Sequence, residues 1–302
     1  MKRGGRLGRV LVVGAVAGGL WLLGRGACGG TPVTLATFNI RMFPEATTDR
    51  TRLAELLAGL DADVVAVQEI RDEGALRDVL RRASRAAKRD LRLALAPCGG
   101  ASGLATGVVF DAKRLRLVET RQYRELDPDD RGGCSLGHRA ALLAVLEGRG
   151  RRVAVLSVHL LFGAEPEQRA VRRRQWQQAV TILKDVAGRY QADAIALGDF
   201  NSLGYRDNLG GERDFIERTV KKAKLELVTA KVPCTAYWRP DPDGGGYVPS
   251  TLDHIVATSG SFRRLEPRGM CEALACRPAE GRDPPRDYRT VSDHCPVRVV
   301  RR

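Results

Sequence analysis

Ser292-Asp293-His294-Cys295-Pro296-Val297 is the stretch on which the reading of this chain turns. It sets a carboxylate beside an imidazole and then enters an apolar run, Val297 to Val300, that reads as a β-strand. Five short motifs upstream share its character: Thr37-Phe38-Asn39-Ile40-Arg41, Gln68-Glu69-Ile70-Arg71, Ser157-Val158-His159-Leu160, Gly198-Asp199-Phe200-Asn201 and Leu252-Asp253-His254-Ile255. Each adjoins an apolar run of strand length. Asn, Glu, Asp and His side chains delivered by separate strand ends suit one task well. They can hold a hard divalent cation and activate water against a phosphate ester.

Between the motifs, strand-like and helix-like stretches alternate. Val33 to Asn39, Val64 to Gln68, Thr106 to Phe110, Ala194 to Leu197 and Leu252 to Ala257 read as strands. Ala141 to Leu146 and Val153 to Leu160 read as a hairpin around Gly148-Arg149-Gly150. Asp49 to Leu60 carries Leu53, Leu56, Leu57 and Leu60 at helical spacing, Ala75 to Arg89 is helical and Arg-rich, and Glu165 to Val186 is the longest helix. The Pro- and Gly-rich stretches Lys231 to Ser250 and Glu266 to Arg289 read as loops. Each precedes a motif, so each either overhangs the site or is a surface insertion. The chain shows no internal repeat and no linker, so residues 31–302 read as one domain.

The residues define their own candidate roles. Glu69 ends an apolar strand with a carboxylate, which suits Mg²⁺; Asn39 ends the preceding strand with an amide that can orient a phosphate or a water. Asp199 and Asn201 share a face if the strand runs through them, and form a capped turn if it does not. Adjacent residues on a strand face opposite ways, so Asp293 is not the natural partner of His294. Asp253, arriving from another strand, is the better partner, and His254 then points into packing. His138 reads as a structural histidine.

The six motifs together resemble the endonuclease/exonuclease/phosphatase superfamily, with the deoxyribonuclease I-like fold, in the family's order over about residues 33 to 300. The resemblance implies an α/β four-layer sandwich, two packed mixed β-sheets flanked by helices, with the site where strand ends converge. It implies Asn39, Glu69 and Asp293 on the metal side and His159 against the scissile phosphate. It makes Asp199 and Asn201 the water-positioning pair, and Asp253 the carboxylate that orients His294, with the general base shared between His294 and Asp199. The cofactor it implies is Mg²⁺, with Mn²⁺ or Ca²⁺ as alternatives. Arg71 and Arg139 resemble the phosphate-binding arginines of the secreted nucleases.

Substrate must be read from the surroundings, because this superfamily cuts DNA, sphingomyelin and inositol phosphates with one site. The net charge of +14 favours a polyanionic partner, nucleic acid or an anionic membrane surface, with an Arg-rich background composition as the alternative reading. Arg169, Arg172, Arg173 and Arg174 read either as a basic stripe for nucleic acid or as a plain solvated face of the long helix, and Tyr123, Tyr237, Trp238 and Tyr247 as candidate stacking surfaces whose direction the sequence leaves open. A DNA-cutting phosphodiesterase is the first reading; a sphingomyelinase-like lipid phosphodiesterase and a phosphatase are the alternatives. A catalytically dead binding module is disfavoured by the intact motif set. No obligate protein partner is implied.

Lys2, Arg3, Arg6 and Arg9 precede an apolar run from Val10 to Leu23 and the small residues before Cys28. Residues 1–30 therefore read as a signal peptide, a lipoprotein signal or a membrane anchor, each placing the chain outside the cytoplasm. Six further cysteines, Cys98, Cys134, Cys234, Cys271, Cys276 and Cys295, allow three disulfides, and the absence of a Cys-x-x-Cys pair argues against zinc. Cys295 is the one that best reads as a merely buried small residue.

Overall fold

The computed structural model describes residues 33–126, 139–148, 150–240, 245–258, 260, 262–281 and 283–301. The leader, His138, Cys28 and Cys134 lie outside the described residues. In chain order the elements are β1 (Val33–Phe43), α1 (Arg50–Gly59), β2 (Val64–Ile70), α2 (Glu73–Ala87), β3 (Leu91–Leu95), β4 (Ala105–Asp111), β5 (Arg116–Tyr123), β6 (Ala141–Gly148), β7 (Arg151–His159) and α3 (Pro166–Tyr190). They continue with β8 (Asp193–Asp199), α4 (Glu212–Lys222), β9 (Glu226–Leu227), β10 (Ala236–Trp238), β11 (Val248–Ser250), β12 (Asp253–Ala257), β13 (Phe262–Pro267), α5 (Met270–Ala273) and β14 (Val297–Arg301).

Two six-stranded mixed sheets pack face to face, ordered β13-β14-β1-β2-β4-β3 and β5-β6-β7-β8-β12-β9. The period of two along each strand sorts apolar side chains into layers. On β1, Leu35 enters the core between the sheets, while Ala36, Phe38 and Ile40 pack under α1 and α2. On β7 and β8, Val153, Val155, Ile195 and Leu197 face the other sheet, while Ala154, Leu156, Val158, Ala194 and Ala196 pack under α3 and α4. The result is a four-layer α/β sandwich. α1 starts where Asp49 caps the backbone N–H groups of Thr51 and Arg52, and buries Leu53, Ala54 and Leu57.

β10 and β11 form a small hairpin beside the sandwich. It packs with α5 through Tyr237, Tyr247, Met270 and two disulfides, Cys234–Cys276 and Cys271–Cys295. Cys98 is also disulfide-bonded. Cys295 is therefore bonded, not a lone buried thiol, and the stretch from Glu266 to Arg289 is tied to the fold, not a loose surface insertion. Tyr237 and Tyr247 are both 1% exposed, so neither is a stacking surface; Trp238, at 52%, is exposed.

Candidate active site

The strand period that builds the inter-sheet core also builds the site at its mouth. Leu35, Thr37 and Asn39 share one face of β1, Val155, Ser157 and His159 share one face of β7, and Leu197 and Asp199 share one face of β8. On β12 the same rule sends Asp253 inward with Ile255. Registers then align the strand ends: His159 lies opposite Asp199 on parallel β7 and β8, and Asp253 lies opposite Asp199 on antiparallel β12.

Glu69 needs an exception to this period. Val65, Val67 and Ile70 all pack under the helices, so two residues, Gln68 and Glu69, occupy the space of one inward position. The register of β2 shifts between Val67 and Ile70, and Glu69 has a φ of 66°. The bulge turns a carboxylate inward that regular pleating would send out. Gly198 is a second local device: a Cβ there would come within 2.0 Å of Val158 O, so only glycine lets β7 and β8 approach this closely.

Asp199 Oδ2 is the centre of the cluster. Asn39 Nδ2 donates to it at 3.0 Å and also to Glu69 Oε1 at 3.1 Å. His159 Nε2 lies 3.3 Å from it and His294 Nε2 3.7 Å. His294 Nδ1 lies 2.8 Å from Asp253 Oδ2, and Arg139 Nη1 lies 3.0 Å from His159 Nε2. Ser292 Oγ donates to Asn39 O at 2.7 Å and accepts from His294 N at 3.0 Å, so the two ends of the chain's motif series are tied directly.

Burial and crowding set the protonation states. Burial, with Arg139 and His294 nearby, holds His159 well below the ordinary histidine value. Burial pushes Asp199 up to about 7, against the opposing pull of His294. Burial alone would lower His294, but the carboxylates of Asp253 and Asp199 outweigh it and hold the imidazole well above its ordinary value. The cluster therefore pairs a cationic His294 with a neutral His159 around one carboxyl group of raised basicity.

Asn201 reaches the cluster differently from a continued strand. β8 ends at Asp199, Asn201 has a φ of 50°, its N–H donates to Asp199 Oδ1 at 2.8 Å and its Nδ2 to Leu160 O at 2.9 Å. This is the capped turn. His254 points away from the cluster among the rings of Trp176, Phe200 and Tyr205, with Nδ1 at 3.1 Å from Thr229 Oγ1. Burial lowers it to about 3. Asp293 flanks the cluster: its charge acts on His294 and on Arg41, and its Oδ1 is buried without a hydrogen-bond partner. Arg71 touches no cluster member; it is exposed, with Nη2 against Met42 Sδ at 3.3 Å.

The basic stripe on α3 is not solvent-facing throughout. Arg172 is 0% exposed and bonds Glu212 at 2.8 Å and the carbonyls of Leu161 and Gly163. Sequence reasoning missed Ser292 and Gln68 as contributors. Gln68 Nε2 donates to Ser157 Oγ at 3.1 Å and joins the two sheets just beneath the site. The signal for both was their place within motifs already singled out.

The donors present fit a hard divalent cation. Glu69, His159 and Asp199 offer atoms within 4.8 Å of one another, and so do Asp199, Asp253 and His294. Carboxylate oxygens dominate the set, and Asp253 Oδ1 and Asp293 Oδ1 are buried without a protein partner.

A family model described as Endonuclease/Exonuclease/phosphatase family matches residues 36–294. No curated relative matches the sequence. Solved structures match closely in shape. D. rerio TDP2 complexed with single-strand DNA product aligns at 17% identity and TM-score 0.61, over 90% of this chain and 100% of that one. The human Nocturnin catalytic domain with bound sulfate aligns at 15% and 0.59, over 90% and 94%. The Bacteroides thetaiotaomicron mannosyl-6-phosphatase aligns at 16% and 0.58, over 88% and 98%.

Proposed function

The chain belongs to the endonuclease/exonuclease/phosphatase family, and on that premise we propose that it is a divalent-metal-dependent phosphodiesterase that cuts DNA outside the cytoplasm. The carrying observation is the convergence of Asn39, His159 and His294 on one oxygen of Asp199. A buried carboxyl group of raised basicity, ringed by donors, is equipped to take a proton from an attacking water.

Asp199 and Asn201 orient that water, and Asp199 accepts its proton. His294, held by Asp253 and cationic, stabilises the charge that develops on phosphate oxygens. His159 and Arg139 bind the non-bridging oxygens, Arg139 with a charge-assisted hydrogen bond. Glu69, Asn39 and Asp293 are the residues that would hold Mg²⁺, with Mn²⁺ or Ca²⁺ as substitutes. The ion supplies Lewis-acid neutralisation of the phosphoryl charge.

Three features support DNA as the substrate. The net charge of +14 attracts a polyanion. Trp238, 52% exposed, sits on the hairpin whose Ala236 pairs with His294, and Phe162, 64% exposed, follows the His159 strand. Both offer faces on which unpaired bases stack. One structural neighbour, TDP2, was solved with a single-strand DNA product. The buried disulfides and the sequence of residues 1–30 support export, with the leader cleaved, lipidated at Cys28 or kept as an anchor. Among the described residues no helix is long and apolar enough to cross a membrane.

The test is nicking of plasmid DNA by protein produced under oxidising conditions, with Mg²⁺, with EDTA, and with an Asp199→Ala/His294→Ala variant. Nicking that requires both the metal and the two residues is expected. Nicking that persists in EDTA overturns the metal requirement. Failure to nick by a folded protein that releases phosphate from phosphomonoesters, or phosphocholine from liposomes, moves the substrate to one of those classes.

A further inference from the structure

Thr235 lies outside every motif that the sequence singles out, yet it touches the backbone on both sides of the His294–Asp253 pair. Its side chain is fully buried. Its Oγ1 accepts two backbone N–H groups, from Leu252 at 2.9 Å and from Asp253 at 2.9 Å. Its carbonyl accepts the N–H of Cys295 at 2.7 Å, one residue beyond His294. The next residue, Ala236, pairs with His294 in an isolated β-bridge, and Tyr237 N donates to Asp293 O at 2.9 Å. One residue thus holds the entry of Asp253 into β12 with its side chain and the His294 segment with its main chain.

We propose that Thr235 is a positioning residue that sets the spacing between Asp253 and His294. The proposal rests on the phosphodiesterase reading above. The chemistry of the residue fits the task. A hydroxyl oxygen has two lone pairs and no charge, so it can satisfy two converging N–H groups without adding a further anion beside Asp199 and Asp253. Ser carries the same hydroxyl on the same Cβ, and Val carries none.

Both arms of the device are clamped from behind. Cys234, adjacent to Thr235, is bonded to Cys276, and Cys295, adjacent to His294, is bonded to Cys271. Sulfurs of Cys234, Cys271 and Cys276 lie within 4.8 Å of one another, so the two disulfides form one buried brace. The backbone of Asp253 reaches the same brace through Thr235 Oγ1. Phe200 N donates to Leu252 O at 3.0 Å, which extends the link to the residue after Asp199.

Thr235→Val keeps the shape and removes the acceptor, whereas Thr235→Ser keeps the acceptor. Thr235→Val should lower kcat about 10- to 100-fold with KM and the Mg²⁺ half-saturation unchanged, because a small misplacement of catalytic groups costs rate far more than binding. Thr235→Ser should stay within about threefold of the parent, as the geometry is preserved. In an Asp253→Asn background the Thr235→Val loss should shrink to less than about twofold, as expected of residues acting as one unit. A second measurement does not depend on turnover: the low-field proton bridging His294 Nδ1 and Asp253 Oδ2 should appear by NMR in the parent and in Thr235→Ser, and shift or vanish in Thr235→Val. A folded Thr235→Val variant with parental kcat, or an equal loss in the Asp253→Asn background, overturns the proposal. An unmoved bridging proton overturns it too. A parent protein that hydrolyses no phosphate ester sinks the phosphodiesterase reading instead, and the proton signal still decides the geometry.

Discussion

Two clusters of buried charge lie at opposite ends of β1 and β2, and they are built on different terms. At the lower end, Asp63 and Asp111 are 1% and 2% exposed. Asp63 Oδ1 takes Arg89 Nη1 at 2.9 Å and also Arg114 Nη1, while its Oδ2 takes Thr34 N at 2.8 Å. Asp111 takes Arg89 at 2.9 Å and the N–H groups of Asp90 and Lys113, each at 3.1 Å. At the upper end, Asp199 and Asp253 share their space with Glu69, two histidines and Arg139. There, Asp253 Oδ1, Asp293 Oδ1, His159 Nδ1 and Arg139 Nε are buried and unpartnered. The lower cluster closes on itself and fastens the sheet edge. The upper one keeps unmet valence, which is what a site awaiting substrate and cation requires.

If that contrast is right, the two ends must fail in different ways. The largest effect belongs to His294→Gln, which should lower kcat by roughly 10³–10⁴-fold, the upper range for losing a general acid–base or electrostatic partner. Its melting temperature should stay close to the parent's; a collapse of the fold would show that the upper cluster is structural after all. Asp63→Ala should do the reverse. It removes the buried carboxylate that Arg89 and Arg114 share and the acceptor of Thr34 N. Breaking a buried ion pair costs about 3–5 kcal/mol, and with Arg89 still on Asp111 the loss in a urea titration should fall at or below the lower end of that range. Turnover per folded molecule should be unchanged, and a change beyond threefold would break the comparison.

A finer test separates the two arginines that the motifs suggested. Arg139→Ala should reduce kcat/KM about 10- to 100-fold, the worth of one charge-assisted hydrogen bond. Arg71→Ala, exposed and outside the cluster, should cost less than about threefold. Equal effects would move the phosphate-binding surface outward.

The smallest effect is on stability against pH without metal. Asp199 holds its proton up to about 7 when folded, against 3.8 when unfolded. The folded state therefore binds the proton more tightly, and this group's contribution falls as pH rises from about 4 through about 7. In EDTA, Asp199→Asn should gain on the parent across that window by a few degrees of melting temperature, and Mg²⁺ should narrow the gap. A gap independent of pH would contradict the burial argument.

Much of the site was legible because strands obey a strict period. Asn39, His159, Asp199 and Asp253 follow from parity on apolar runs, and so does the outward turn of His254. Glu69 reads from the sequence as a strand-end carboxylate and lies in the cluster, but the bulge that aims it inward leaves no mark in the sequence. β5, Arg116–Tyr123, was missed because it is a polar edge strand with one face in solvent. α4 was missed because its buried residues, Glu212, Ile216 and Val220, include a charged one that pairs with Arg172. Arg172 itself shows the limit of composition: four arginines on one helix looked like a surface stripe, and one of them is the core partner of that glutamate. Disulfide pairing was unreadable, since six cysteines allow many connectivities and only packing selects among them.

The pairing of Val33 with Arg301 across β1 and β14 has a consequence in time. β14 lies between β13 and β1 within its sheet, and the segment leading into it carries His294. An emerging chain therefore holds Asn39, Glu69 and His159 long before the strand that fastens β1 and delivers the remaining imidazole. Such distant pairings form late and slowly. For the DNA-cutting activity and the export proposed above, the topology would act as a delay: the exporting cell would handle a chain without its full cluster, and the blade would be assembled only when the far end has folded home.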